Sequence, residues 1–134
     1  MVRLLGGRAC RETQRARRWV QERGLSHQFI DIESCRLEKS LISGWIDAYG
    51  WQMLIDKRTA AWRTLPADFK QALDTDRCLA LLQQRPHLLK KPLIQAGAIH
   101  LVGWNAPNKI RLLGQMEIDA ASNAILQRTT HVAA

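Results

Sequence analysis

The sequence predicts a single α/β domain built on a mixed four-stranded sheet. Two observations predict it. The first segment reads as a β-α-β unit from Val2 to Ile32, and a pair of β-rich runs joined by a glycine-bearing turn follows late in the chain, from Pro92 to Trp104. The 134 residues between Met1 and Ala134 are enough for one ordinary core and leave no room for a second.

Val2 to Leu5 is a short apolar run ending in Gly6 and Gly7, a buried strand leading into a loop. From Arg11 to Arg23 the apolar positions Ala16, Trp19 and Val20 share one helical face, and Gly24 stands where a left-handed C-terminal residue belongs. His27 to Ile32 alternates polar and apolar as a strand does. Arg36 to Tyr49 places Leu37, Leu41, Ile42, Trp45, Ile46 and Tyr49 at helical spacing, with Gly50 as the stop. Trp51 to Leu65 mixes apolar and basic residues without sustained period, and reads as a helical turn followed by a functional loop carrying Arg58, Arg63 and the tryptophans. Pro66 is expected in the first turn of a helix to about Leu73. Asp76 is expected to cap another through Gln84, which Pro86 ends.

Pro92 to Gln95 and Ile99 to Trp104 read as two antiparallel strands about Ala96-Gly97-Ala98. Beyond them, Pro107 to Leu113 and Met116 to Gln127 are expected as two helices, with the last seven residues frayed. Residues 1–114 are assigned to the domain and 115–134 to a C-terminal extension.

Hydrophobic residues at 46% and charged residues at 24% exclude a disordered chain. No apolar stretch approaches the roughly 20 residues of a membrane helix, and no signal-peptide core is read at the N-terminus, so a cytoplasmic location is expected. Cys10, Cys35 and Cys78 are odd in number and widely spaced. With no CxxC and no ligand spacing among His27, His87, His100 and His131, neither disulfide stapling nor a metal is expected. The net charge of +8 is concentrated early, at Arg3, Arg8, Arg11, Arg15, Arg17, Arg18 and Arg23. Such a field attracts nucleic acid, an acidic protein surface or a small oxyanion, or simply keeps a helix face solvated, and charge alone does not choose.

A cysteine between a strand-end loop and a helix start meets free backbone N–H groups and the positive end of the helix dipole, which favour the thiolate. Cys10 occupies that place, and Arg8 and Arg11 flank it as thiolate-stabilising cations. Cys78 lies on an apolar helix face with Leu81 and Leu82, where packing explains it. Pro92 opens a strand, a position at which either peptide isomer is open and the preceding loop is fixed. Lys90 and Lys91 stand immediately before it, and Lys91 is favoured as the cation facing Cys10.

Three blocks in order carry a family resemblance. GGRACRETQRARRWVQERGLSHQFIDI is similar to a Tyr-Gly loop, single cysteine, Lys/Arg-Ala-x-x-Trp helix and strand ending in Asp. GWQMLIDKRTAAWRTLP resembles Gly-Trp-x-x-Leu-Leu-Asn-x-Arg-x-Thr-Thr-Trp-Arg-x-Leu. RPHLLKKPLIQAG followed by HLVGW resembles a Pro-x-Leu-Ile-Lys-Arg-Pro element and a Val-Gly-Phe element. Together, over about residues 2–105, they resemble the arsenate reductase (ArsC/Spx/YffB) family, closest to its YffB-type subgroup.

The resemblance implies a thioredoxin-like fold with an inserted helical region. It implies Cys10 as a nucleophile toward arsenate or a related oxyanion, with glutathione as co-substrate, no bound cofactor, and glutaredoxin completing the reduction. It also implies Arg58, Arg63 and Lys91 as anion or glutathione contacts, with Pro92 structural beside the site. The alternative is a non-catalytic Spx-like regulator that binds RNA polymerase or another protein. Thr13 stands at the second cysteine of the Spx CxxC switch. Nucleic acid is not expected as a partner, since no reading motif accompanies the basic helix. Four departures from the pattern stand out: Leu5 for the loop tyrosine, Asp56 for asparagine, Ala60-Ala61 for Thr-Thr, and Lys91 for the arginine before proline. Lysine lacks the bidentate fork that arginine offers an oxyanion.

Overall fold

The computed structural model describes the backbone of residues 1–133 and the side chains of residues 1–125 apart from Asn123. Strands β1 (Val2–Gly6), β2 (His27–Asp31), β3 (Leu93–Ala96) and β4 (Ile99–Val102) form one sheet in the order β2-β1-β3-β4. β1 runs parallel to β2, while β3 is antiparallel to β1 and to β4. The parallel pair needs a crossover, which helix α1 (Arg11–Glu22) supplies, and Gly24 closes it with a φ of 64°.

Strand alternation sorts the apolar residues into two cores. Val2, Leu4, Ile94 and Leu101 meet Ala16 and Val20 of α1 and Leu112 of α6 (Ala106–Ala133). Leu5 and Leu93 face the other way, toward Ile42 and Trp45 of α2 (Lys39–Tyr49) and Cys78 and Leu82 of α5 (Thr75–Gln84). The Trp45 indole N–H is shared between the carbonyls of Ile94 (3.2 Å) and Leu101 (3.0 Å), which ties α2 to the hairpin. Short helices α3 (Ala60–Arg63) and α4 (Ala67–Gln71) complete the helical insertion between β2 and β3.

Several element limits differ from expectation. Helix α2 begins at Lys39 rather than Arg36, so Leu37 is buried from the preceding loop. The functional loop contains a 3₁₀ turn (Trp51–Leu54) and α3, whose N-terminus Thr59 caps by accepting from the Trp62 N–H. Pro66 precedes α4 rather than sitting in its first turn, and α4 stops at Gln71. Asp74, not Asp76, caps α5, its carboxylate accepting the Arg77 N–H at 2.8 Å. Pro86 opens a further 3₁₀ turn (Pro86–Leu88) instead of merely ending a helix. β3 and β4 are each shifted or shortened, to Leu93–Ala96 and Ile99–Val102.

The two expected C-terminal helices are one, α6, capped by Asn105, whose side-chain oxygen accepts the Asn108 N–H. Gly114 costs a helix roughly 1 kcal/mol without breaking it. The last seven residues, expected to fray, are instead helical in backbone as far as Ala133, and their side chains lie outside those described. No helix among the described residues is long and apolar enough to cross a membrane.

Candidate functional site

Backbone hydrogen bonds set Cys10 at the N-cap of α1. Its N–H donates to the Gly7 carbonyl (3.1 Å) and its carbonyl accepts the Gln14 N–H (3.0 Å). The loop that delivers it, Gly6 to Ala9, is held tightly from below. Thr13 is fully buried, and its hydroxyl accepts the Gly7 N–H. A Cβ on Gly6 would collide with the Thr13 hydroxyl, so Gly6 is required for this approach. At the second position of the CxxC pattern the chain therefore carries a packing residue. Cys10 itself remains partly exposed.

A second wall is built by pairing two segments remote in sequence. Ile55 bridges Leu89, the Asp56 N–H donates to the Leu88 carbonyl, and the Lys90 N–H donates to the Leu54 carbonyl, both at 2.7 Å. This pairing sets Asp56, Lys57 and Arg58 beside Lys90 and Lys91. Pro92 is buried, and the Lys91–Pro92 peptide bond is cis. The Pro92 carbonyl accepts the Gly103 N–H at 2.8 Å, which brings the end of β4 to the same place.

Between these walls lies an open groove of about 590 Å³. Glu12, Asp56, Arg58, Lys90 and Lys91 line it, with Met53, Trp104 and Asn105 among its other residues. Lys91 reaches the thiol loop. The site that a Cβ on Gly7 would take lies 3.6 Å from Lys91 Nζ and 3.8 Å from Cys10 Cβ.

Arg58 is 80% exposed, and Glu12 and the Cys10 sulfur lie near enough to add to the pull that raises its basicity. Its fork is already engaged. Asp56 takes its Nε at 3.0 Å, its Nη2 at 3.3 Å and its backbone N–H at 3.1 Å. The hydrogen bond from the Arg58 side chain holds the Asp56 carboxyl below the usual range, against partial burial, and the same bond pushes the guanidinium up.

Of the expected site residues, the structure brings Cys10, Arg58 and Lys91 together, with Pro92 behind Lys91. It does not bring the others. Arg8 turns to Asp31 at the end of β2, with Nε 3.4 Å from the carboxylate, and is 78% exposed. Arg11 is exposed on α1, and neither guanidinium hydrogen-bonds the Cys10 sulfur. Arg63 is exposed in the last turn of α3, outside the groove. Cys35 is exposed, with its thiol pushed up by partial burial and by Asp31, and Cys78 is buried in the core.

Two charged groove residues were not anticipated. Glu12 could have been found from its place in the first helical turn, two residues after Cys10. Lys57 has no local signal, since only the pairing of 54–56 with 88–90 carries it there. Among the described residues no cluster of three or more His, Cys, Asp or Glu is placed to hold a metal.

The model of the ArsC family matches residues 6–111, from the end of β1 to the second turn of α6. The chain belongs to the ArsC family. A Haemophilus influenzae protein is 28% identical to it over 105 residues, 78% of this chain and 92% of its own length. Among solved structures, a YffB protein superimposes with a TM-score of 0.70 at 26% identity, over 78% of this chain and 92% of its own. An arsenate reductase related protein from Brucella melitensis shares the fold at TM-score 0.64 and 21% identity, over 81% and 90%. The mixed sheet with its inserted helices is thus the thioredoxin-like architecture of ArsC-family proteins. All the groove residues fall within the family match, and most of α6 lies beyond it.

Proposed function

We propose that this ArsC-family protein is a thiol-dependent reductase in which Cys10 attacks arsenate or a related oxyanion, with glutathione as co-substrate and a glutaredoxin restoring the thiol. The supporting observation is the placement of a partly exposed cysteine at the first turn of α1 with the Lys91 ammonium on the same loop. An oxyanion in the groove meets Lys57, Lys90 and Lys91, none of them in an ion pair among the described residues, while Arg58 is shared with Asp56.

The Cys10 sulfur displaces water from protonated arsenate and forms a sulfur–arsenic(V) bond. A glutathione thiolate then bonds to the Cys10 sulfur, and the electron pair of the breaking S–As bond reduces arsenic to arsenite. The product is a Cys10–glutathione disulfide, which glutaredoxin resolves. An external thiol is favoured by Thr13, which supplies none beside Cys10, and by the burial of Cys78.

The test is iodoacetamide labelling of the full-length protein, read at each cysteine by mass spectrometry, with and without arsenate. Arsenate should slow labelling of Cys10 and leave Cys35 unchanged, and Lys91→Ala should remove most of that protection. Arsenate-dependent oxidation of NADPH, coupled through glutathione, glutaredoxin and glutathione reductase, should appear in the wild type and vanish in Cys10→Ser. No protection and no turnover would overturn the reading.

A further inference from the structure

Beside the thiol groove the first helix carries a line of cations with no structural use. Arg11, Arg15 and Arg18 are exposed at i, i+4 and i+7, one face of α1 extending about 10 Å along its axis. None of them, nor Lys109 of α6, is in an ion pair among the described residues. Like charges at these spacings weaken an isolated helix, so the line is not explained by helix stability.

The cations border a shallow depression of about 280 Å³, which Arg15, Arg18 and Lys109 line together with Trp19, Trp104 and Asn105. Glu22 at its edge is the one carboxylate there. Trp104 and Asn105 also line the groove, so depression and groove form one continuous surface, whose Lys91 reaches the loop that carries Cys10.

The tryptophans decide what kind of anion fits. Trp19 and Trp104 meet edge to face at 5.4 Å and both pack on the β1/α1 core. Arg23 lies over the Trp19 ring at 4.3 Å, and Lys109 over the Trp104 ring at 5.3 Å. Their rings are committed within the protein, whereas single-stranded nucleic acid is held by bases stacking on free aromatic faces. The surface offers charge without a stacking platform.

We propose that this surface docks an acidic segment of a protein partner and leads it toward Cys10. An extended chain places carboxylates on one side about every 7 Å, a spacing that three cations over about 10 Å can meet. The partner is a protein whose thiolate attacks the glutathione sulfur of the Cys10–glutathione disulfide, releasing Cys10 as a thiolate and taking the glutathione as its own mixed disulfide. In that respect the inference rests on the proposed thiol chemistry, although the docking itself does not require it.

The experiment uses the full-length protein carrying Cys10→Ser and a fluorescein-labelled oligoglutamate peptide, followed by anisotropy at low salt. The peptide should bind, and Arg15→Glu with Arg18→Glu should weaken it at least about tenfold. Lys39→Glu with Arg85→Glu makes the same change of net charge on the opposite side of the sheet, and should shift affinity less than about twofold. Absence of binding overturns the proposal, and so does an equal loss from the two double variants. Tighter binding of an oligothymidylate of equal charge would assign the surface to nucleic acid instead. Because Cys10 is absent, an inert thiol would show only in the arsenate protection experiment and leave this one unaffected.

Discussion

Asp56 is a carboxylate in a groove otherwise rich in cations, and it acts on its nearest neighbour. Its two oxygens take the Arg58 fork, and Lys90 adds a weaker attraction, so the group stays ionised well below neutral pH. An arriving anion must therefore compete with Asp56 for Arg58 and also meet its negative charge. Asp56→Asn removes that charge and leaves a weaker acceptor for the guanidinium. The arsenate concentration that halves Cys10 labelling should fall roughly threefold to tenfold in this variant. Thermal stability should change little, because the partner guanidinium is largely in water, where solvent screens the pair. Unchanged or weaker protection would show that Arg58 takes no part in holding the anion. Glu12 is a second carboxylate in the same groove, and its influence on Arg58 sets a net balance that net charge alone conceals.

Among the elements, α5 shows how local signals can be ambiguous by two residues. Asp74 and Asp76 both precede the apolar positions Cys78, Leu81 and Leu82, and either spacing leaves those three on one face. The structure selects Asp74, which lets Thr75 and Asp76 enter the first turn, where a negative charge suits the helix dipole. Asp74→Ala should lower the unfolding free energy by about 1 kcal/mol in urea titration, and Asp76→Ala by only a few tenths. The reverse ranking would return the cap to Asp76. The β-α-β start was legible because periodicity switches sharply between Leu5, the Ala16/Trp19/Val20 face and Phe29. The tail forms one helix where two are expected, because Gly114 between them is followed by no turn chemistry and is tolerated inside α6. The pairing of 54–56 with 88–90 had no signal at all, being a contact between segments more than 30 residues apart.

For the molecule as a whole, the sheet, its insertion and the position of Cys10 could be read from residue patterns, while the side chains that share a groove could not. Arg8 and Arg11 neighbour Cys10 in the chain, yet one is drawn to Asp31 and the other to solvent. Lys91, eighty-one residues away, is the cation that arrives. Burial, in contrast, followed the apolar pattern closely, and Cys78 offers a global test of it. The thiol is 1% exposed between α5 and its neighbours, and desolvation pushes its pKa up to about 11. In the unfolded chain it would titrate near the ordinary value of about 8.5. Below that value both states hold the proton and Cys78 gives no pH dependence. Between about 8.5 and about 11 the unfolded state releases it while the folded state keeps it. Stability therefore falls as pH rises through this window, by up to about 1.4 kcal/mol per pH unit. Cys78→Ala removes the titration at the cost of a small cavity, so the variant should be less stable than wild type at pH 7. The gap should shrink by about 1 to 2 kcal/mol at pH 10, measured by chemical unfolding under reducing conditions. Contributions from Cys10, Cys35, Tyr49 and the lysines are common to both proteins and cancel in the difference. A gap that stays constant between pH 7 and pH 10 would mean that the Cys78 thiol ionises as readily in the folded protein as in the unfolded one, which a sealed second core does not allow.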